Sequence, residues 1–212
     1  MNILNRHYGD LEDVEGFRGR IDITNAVVYG MGFAEMASGY PMRTDLPDDE
    51  GLIVLGKDLG RAEKLSNAPI GSGHDNFLNG IILQFDLTAP IKMWTELQRY
   101  HFIDFVSSQS TMHRLQEMNF DVVFDESVPI VIKDAMKALQ NTYKADPTKA
   151  NWLRFIMSCP VGLKLTARMT TNYRQLKTIY AQRKNHRLPH WKEFCEWIKT
   201  LPGSKYIIQE GE

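Results

Sequence analysis

The chain has 212 residues and only two cysteines, Cys159 and Cys195, which excludes a disulfide framework of the secreted type. Neither belongs to a CxxC pair of the zinc or redox kind, so both read as buried thiols. No stretch approaches the ~18 consecutive apolar residues of a membrane span. Met1 to Asp10 lacks the apolar core of a signal peptide, and a cytoplasmic protein is expected. An excess of one charge is missing too. With 25 Lys and Arg against 26 Asp and Glu, the net charge of −1 supplies no field to draw the protein to polymeric nucleic acid or an acidic membrane. Any phosphate site has to be local. There is no GxSxG, no Walker-type GxxxxGK and no HExxH, which leaves serine hydrolase, nucleoside triphosphatase and zincin readings without support. Internal repeats and low-complexity segments are absent. The length suits one domain over residues 1–212, burying on the order of 70% of the surface its unfolded form exposes.

What is present divides into strand-like and helix-like segments. Ile21 to Tyr29 is rich in β-branched residues and closes at Gly30 and Gly32, as a strand does. Gly39 to Gly51 carries two prolines and the acids Asp45, Asp48, Asp49 and Glu50, and reads as a solvated loop. Gly80 to Leu87 is a continuous apolar run, which predicts a central strand buried on both faces. Thr88 is a candidate cap and Pro90 a first-turn residue for a helix through about Phe105. Phe120 to Phe124 reads as a strand, Ile130 to Tyr143 and Lys149 to Met157 as helices, and Val161 to Met169 as a further strand. Thr171 is expected to cap a helix to about Arg187, with Pro189 breaking it before a last amphipathic helix over Trp191 to Leu201.

Several constellations could carry chemistry. Asn172 and Arg183 are eleven residues apart, which on a helix leaves them ~20° apart around the axis and ~16 Å apart along it. One helix could then touch two parts of an extended ligand, with Arg183 a forked donor for phosphate or a pyrimidine carbonyl. The plain alternative is an amphipathic helix whose terminal Arg caps its own carbonyls. Trp94, Leu97, His101 and Phe105 share a spacing that places His101 on a buried face, while Arg99 points the other way and could pair with Glu96. Ser107 to Arg114 is dense in hydroxyls and ends in a positive pair, suiting either a phosphate cradle or a polar turn. His186 and His190 have metal-like spacing, but Pro189 interrupts the helix that would align them, so no metal site is expected.

Taken together, these pieces resemble the flavin-dependent thymidylate synthases. Gly73-His74-Asp75-Asn76-Phe77, the strand to Phe85, Ala89-Pro90-Ile91 and Arg99-Tyr100-His101 follow the order and spacing of that family's histidine turn, core strand and Arg-His-Arg motif. Ser107-Ser108-Gln109-Ser110 and His113-Arg114 are similar to its serine-rich run if one or two residues are inserted. Pro160, Asn172, Arg183 and, after a one-residue insertion, Trp191 are similar to the family's later positions. The resemblance covers about residues 70–114 and 150–195. It implies an α+β fold with a central mixed sheet flanked by helices, and a homotetramer binding FAD and dUMP at subunit junctions. By the same resemblance, His74, Arg99, Tyr100, His101 and Asn172 lie against FAD. Ser108, Ser110, Arg114 and Arg183 lie near the nucleotide, Arg183 being the catalytic candidate.

The departures are specific. Tyr100 replaces the family's central His and His101 its second Arg, so a fixed positive charge is lost or becomes pH-dependent. The acid expected before the second serine is replaced by Ser108 or Gln109, depending on the alignment. A Tyr still stacks on a ring, which lets binding outlive catalysis. The resemblance implies a protein that binds FAD and a uridine nucleotide and methylates or otherwise alters the pyrimidine, in a family where a reduced folate supplies the carbon and no cysteine nucleophile is used. A divergent member that binds or sequesters a nucleotide as an accessory protein is the alternative, and a purely structural oligomer a third.

Overall fold

The computed structural model describes residues 11–44, 56–69 and 71–208. The acidic loop of Asp45, Asp48, Asp49 and Glu50 therefore lies outside the described residues. The chain opens with β1 (Leu11–Val14), β2 (Phe17–Arg18) and β3 (Asp22–Tyr29), and β1 and β2 both pair antiparallel with β3. Asn25 adopts φ 50°, a left-handed conformation that Asn tolerates, beside the register shift between Thr24 and Val27. After α1 (Met31–Ala37) and α2 (Gly56–Ser66), a turn and a 3-10 segment at Asn76–Gly80 lead into β4 (Ile82–Pro90). Then come α3 (Ile91–Leu97), β5 (Ile103–Ser108), α4 (Thr111–Arg114), α5 (Ile130–Ala145), α6 (Lys149–Met157), β6 (Lys164–Asn172), α7 (Tyr173–Arg183) and α8 (Pro189–Ile198).

The strand order is β1-β3-β4-β6-β5, with β2 also on β3. The architecture is the expected α+β one, and β4 is central as expected. Every pairing among the described strands is antiparallel, where a mixed sheet was expected. The double-sided burial expected of β4 is also corrected. Leu83, Phe85, Leu87 and Ala89 are fully buried, while Ile82, Gln84, Asp86 and Thr88 between them are half-buried. This alternation is what an antiparallel sheet with one covered face imposes. The covering helices are α7 and α8. Phe85 packs 5.1 Å from Trp197 and 6.0 Å from Phe194, while Tyr173, Leu176 and Ile179 come from α7. On the other face Arg168 reaches Asp86 at 3.3 Å and the Asn25 carbonyl at 2.7 Å.

Several further boundaries differ from expectation. The strand continues through Thr88 to Pro90, so Pro90, not Thr88, precedes α3. That helix stops at Leu97 because the N–H groups of Arg99 and Tyr100 close back on the carbonyls of Glu96 and Leu97, and the β-formers from Ile103 onward pair with β6. His101 is consequently exposed on a turn, not buried among Trp94, Leu97 and Phe105. Phe120 to Phe124 is a turn in which Asn119 takes the N–H of Asp121 on its side chain and those of Val122 and Val123 on its carbonyl. Phe124 contributes a single bridge to Leu163, and Phe120 and Phe124 join Phe155 in a second apolar cluster with Leu115 and Met136. The helix read over Ile130 to Tyr143 runs two residues further, to Ala145, and that over Lys149–Met157 is as read. Asn172, not Thr171, caps α7, which ends at Arg183, and Pro189 is a first-turn residue of α8.

Candidate functional site

At the head of α7, Asn172 is still extended, and its Oδ1 accepts the N–H of Gln175 at 2.8 Å. The hydroxyl of Thr171 is spent on the carbonyl of Phe102, at 2.7 Å. A cavity of about 430 Å³ opens here, lined by Gly71, Asp75 and Asn79 from the preceding turn, by Phe102, and by Asn172, Arg174, Gln175 and Lys177. Its volume falls within the range of small-molecule sites. Lys177 is 2% exposed, and its Nζ donates to the carbonyl of Ser66 at 2.6 Å and to Asp75 Oδ2 at 2.9 Å. Arg174 Nε stands 3.3 Å from Asp75 Oδ1, an atom that makes no hydrogen bond among the described residues. Gln175 is 8% exposed, yet its Nε2 has no partner there. A buried carboxylate between two cations, beside an unspent amide donor and a helix N-terminus, is a polar cradle with donor capacity left over.

A second cavity, of about 290 Å³, lies between α3 and β5 and is lined by Trp94, Gln98, Phe105, Ser108 and Leu165 among others. The Trp94 and Phe105 rings are 5.0 Å apart, and the indole N–H donates to the carbonyl of Ala89 at 2.9 Å. Phe102 and Phe105 thus bring the β5 region to both cavities.

Between α3 and the C-terminal end of α7 is a third group. Arg183 Nε donates to the Tyr100 hydroxyl at 2.8 Å, its Nη1 is 3.3 Å from Glu96 Oε2, and its guanidinium carbon lies 4.7 Å from the Trp191 ring centre. The Tyr100 hydroxyl donates in turn to Gln182 Oε1 at 3.0 Å. Trp191 Nε1 donates to Glu96 Oε2 at 2.9 Å. Burial works to raise the Glu96 carboxyl. Hydrogen bonds from Trp191 and Lys92, with the charges of Lys92 and His186, outweigh it and bring the group below its ordinary value. Glu96 is therefore held by Arg183 and Lys92 rather than by Arg99.

The residues expected to contact ligand are distributed over these groups. Asn172 lines the first cavity, and His74, exposed, adjoins Asp75 there. Ser108 lines the second, and Ser110 precedes α4 without a capping hydrogen bond from its side chain. Tyr100 and Arg183 meet in the third. Arg99 and His101 are exposed on the turn between α3 and β5, and Arg114 is at the surface, 2.7 Å from Glu117. Sequence reasoning missed the buried trio of Asp75, Gln175 and Lys177; the only signal was that Arg174 and Lys177 share a helix face three residues apart. Among the described residues no three His, Cys, Asp or Glu side chains converge as metal ligands. His190 faces Asp125 at 2.8 Å and His186 faces Glu96 at 3.6 Å, so the two histidines serve different carboxylates. Burial pushes the Cys159 thiol up to about 11, and burial with the Glu196 charge pushes Cys195 up to about 12, which leaves neither a ready nucleophile. No described helix is long and apolar enough to cross a membrane.

No protein-family model and no curated protein sequence matches the chain. Solved structures do. The flavin-dependent thymidylate synthase ThyX of Helicobacter pylori, complexed with FAD and dUMP, superposes with a TM-score of 0.67 at 18% identity, over 86% of this chain and 95% of that one. The UMP/dUMP methylase PolB of Streptomyces cacaoi, bound with 5-Br dUMP, superposes with a TM-score of 0.60 at 14% identity, over 92% of this chain and 95% of that one. The chain has the fold of the flavin-dependent thymidylate synthases.

Proposed function

We propose that the protein binds FAD and a uridine nucleotide, dUMP, and methylates the pyrimidine, acting as a single-domain homotetramer in the cytoplasm. The observation that carries this reading is the cavity at the head of α7, built around Asn172 in a fold shared with a ThyX solved with FAD and dUMP. The residues present fit part of a flavin dinucleotide. Arg174, partly exposed at the cavity, is the cation that can reach its phosphates, Gln175 Nε2 offers a donor without a partner among the described residues, and Phe102 offers a ring. His74, Arg99, Tyr100, His101 and Asn172 belong to the flavin side of the site; Ser108, Ser110, Arg114 and Arg183 belong to the nucleotide side. When bound, the flavin supplies hydride and a reduced folate the carbon unit. The protein's own residues orient the ring, exclude water and neutralise charge, with Arg183 polarising the nucleotide. Phe105 and Val106 stand exposed on the edge strand β5, an apolar surface suited to coverage by a second copy.

A second reading, a nucleotide-binding accessory protein without catalysis, is favoured by one observation. Tyr100, in the place of the family's central His, is bonded to Gln182 and Arg183. The test is a visible spectrum of the purified protein after incubation with FAD and desalting, followed by thermal unfolding with dUMP at ~100 times its dissociation constant. Saturation adds ~2.7 kcal/mol, or about 5–10 °C for a chain of this length. Retained flavin with dUMP methylation supports the first reading. Stabilisation by dUMP in a colourless, inactive protein supports the second, and a protein that takes neither ligand overturns both.

A further inference from the structure

The surroundings of Arg183 carry more than its place in a site. A guanidinium free to bind phosphate presents an unopposed fork of N–H donors. Here one donor already goes to the Tyr100 hydroxyl, and Nη1 faces Glu96 Oε2 at 3.3 Å. The carboxylate is not a passing neighbour. Its Oε2 also accepts the Trp191 indole N–H at 2.9 Å, its Oε1 is 3.1 Å from Lys92 Nζ, and His186 Nε2 is 3.6 Å away. The Glu96 and Arg183 side chains are 16% and 15% exposed, so water screens the pair poorly. Trp191, which fixes Glu96, also stacks on the guanidinium, so one indole holds both charges in place. A phosphate brought to Arg183 would meet a fixed negative charge within hydrogen-bonding range, and like charges that close oppose each other.

We infer that Glu96 is a specificity-determining residue, which withholds Arg183 from phosphate groups and leaves its remaining N–H donors to uncharged oxygens such as a pyrimidine carbonyl. The inference rests on the reading of Arg183 as a nucleotide contact: with Glu96 charged the phosphate is kept away from Arg183, and with that charge removed the guanidinium is free to take it.

The test compares dUMP with deoxyuridine, which lacks the phosphate, by calorimetric titration of the wild-type protein and Glu96→Gln. Glutamine keeps an acceptor for the Trp191 N–H and removes the charge. The expected result is that dUMP binds the variant about tenfold or more tightly while deoxyuridine changes by less than about twofold. The gain should vanish in Glu96→Gln/Arg183→Met. An equal change for both ligands overturns the inference, as does a gain that persists without Arg183. If neither protein binds either ligand, the proposed function fails instead. The inference is then decided with inorganic pyrophosphate: it requires a pyrophosphate-dependent rise in melting temperature for Glu96→Gln that wild type and the double variant lack, and the absence of that difference overturns it.

Discussion

Replacing Lys177 with Met probes whether the buried charges at the head of α7 hold the cavity together. The ammonium ties α7 to the chain before β4 through the carbonyls of Ser66 and Ala68 and through Asp75 Oδ2, over more than a hundred residues of sequence. Methionine matches the apolar stem but removes every one of these bonds. Among the described residues, the Asp75 side chain, 3% exposed, then keeps only the partly exposed Arg174 as a cationic neighbour, at 3.3 Å. Removing one partner of a buried pair costs about 3–5 kcal/mol, and the remaining Arg174 places this case near 3. For a chain of this size that corresponds to a fall of about 6–12 °C in melting temperature. The assay is urea unfolding followed by tryptophan fluorescence, where the midpoint should fall with little change in slope. Lys177→Met/Asp75→Leu, which removes both charges, should recover half or more of the loss. A cost below about 1 kcal/mol for the single variant, or a double variant no more stable than the single, would refute the reasoning.

Three other outcomes follow from the geometry. Asn172→Ala removes the α7 cap and should cost about 1 kcal/mol in the same unfolding assay, whereas Asn172→Ser, which keeps a capping oxygen, should cost only a few tenths. Glu96 and Asp125 both titrate below their ordinary values; at Asp125, burial is outweighed by hydrogen bonds from Ser127 and His190 and by the His190 charge. A depressed carboxyl stabilises the fold above its unfolded value, about pH 4, and that stability is lost as pH falls through the folded value, so Glu96→Gln and Asp125→Asn should each flatten the acid limb of a stability–pH curve. With thiols raised to about 11 and about 12, half-buried Cys159 and buried Cys195 should resist iodoacetamide at pH 8 in the folded protein and react once it is unfolded; prompt labelling of the native chain would refute this.

The sequence was most legible where local chemistry and tertiary packing agree. The two helices read over Ile130 to Tyr143 and Lys149 to Met157 have apolar periodicity, and both form, the first running on to Ala145. It was least legible where hydrogen bonds that periodicity does not encode decide the outcome. Phe102 to Phe105 continue a helical apolar spacing, but β6 offers an edge to pair with, and the helix gives way to β5. Phe120 to Phe124 has strand composition, but Asn119 curls it before it can extend. At the site, the helix following Asn172 was legible, though its cap was expected one residue earlier, at Thr171. Asp75 and Lys177 were not, because a lysine on a helix and an aspartate in a turn are ordinary surface residues until the fold buries them 2.9 Å apart.

The order of the strands also sets a timetable for synthesis. Central strand β4 finds β3 soon after it emerges, but its other neighbour is β6, whose Asn172 pairs with Ile82 and whose Lys164 pairs with Pro90, on the order of 80 residues later in the chain. Until then β4 presents an unsatisfied edge, and the covering aromatics Phe194 and Trp197 come later still. A nascent chain stalled before β6 therefore exposes both an open hydrogen-bonding edge and the bare side of Phe85, the two features that recruit other unfinished chains. Productive folding therefore waits on β6 and the helices after it, and truncations that remove β6 should aggregate.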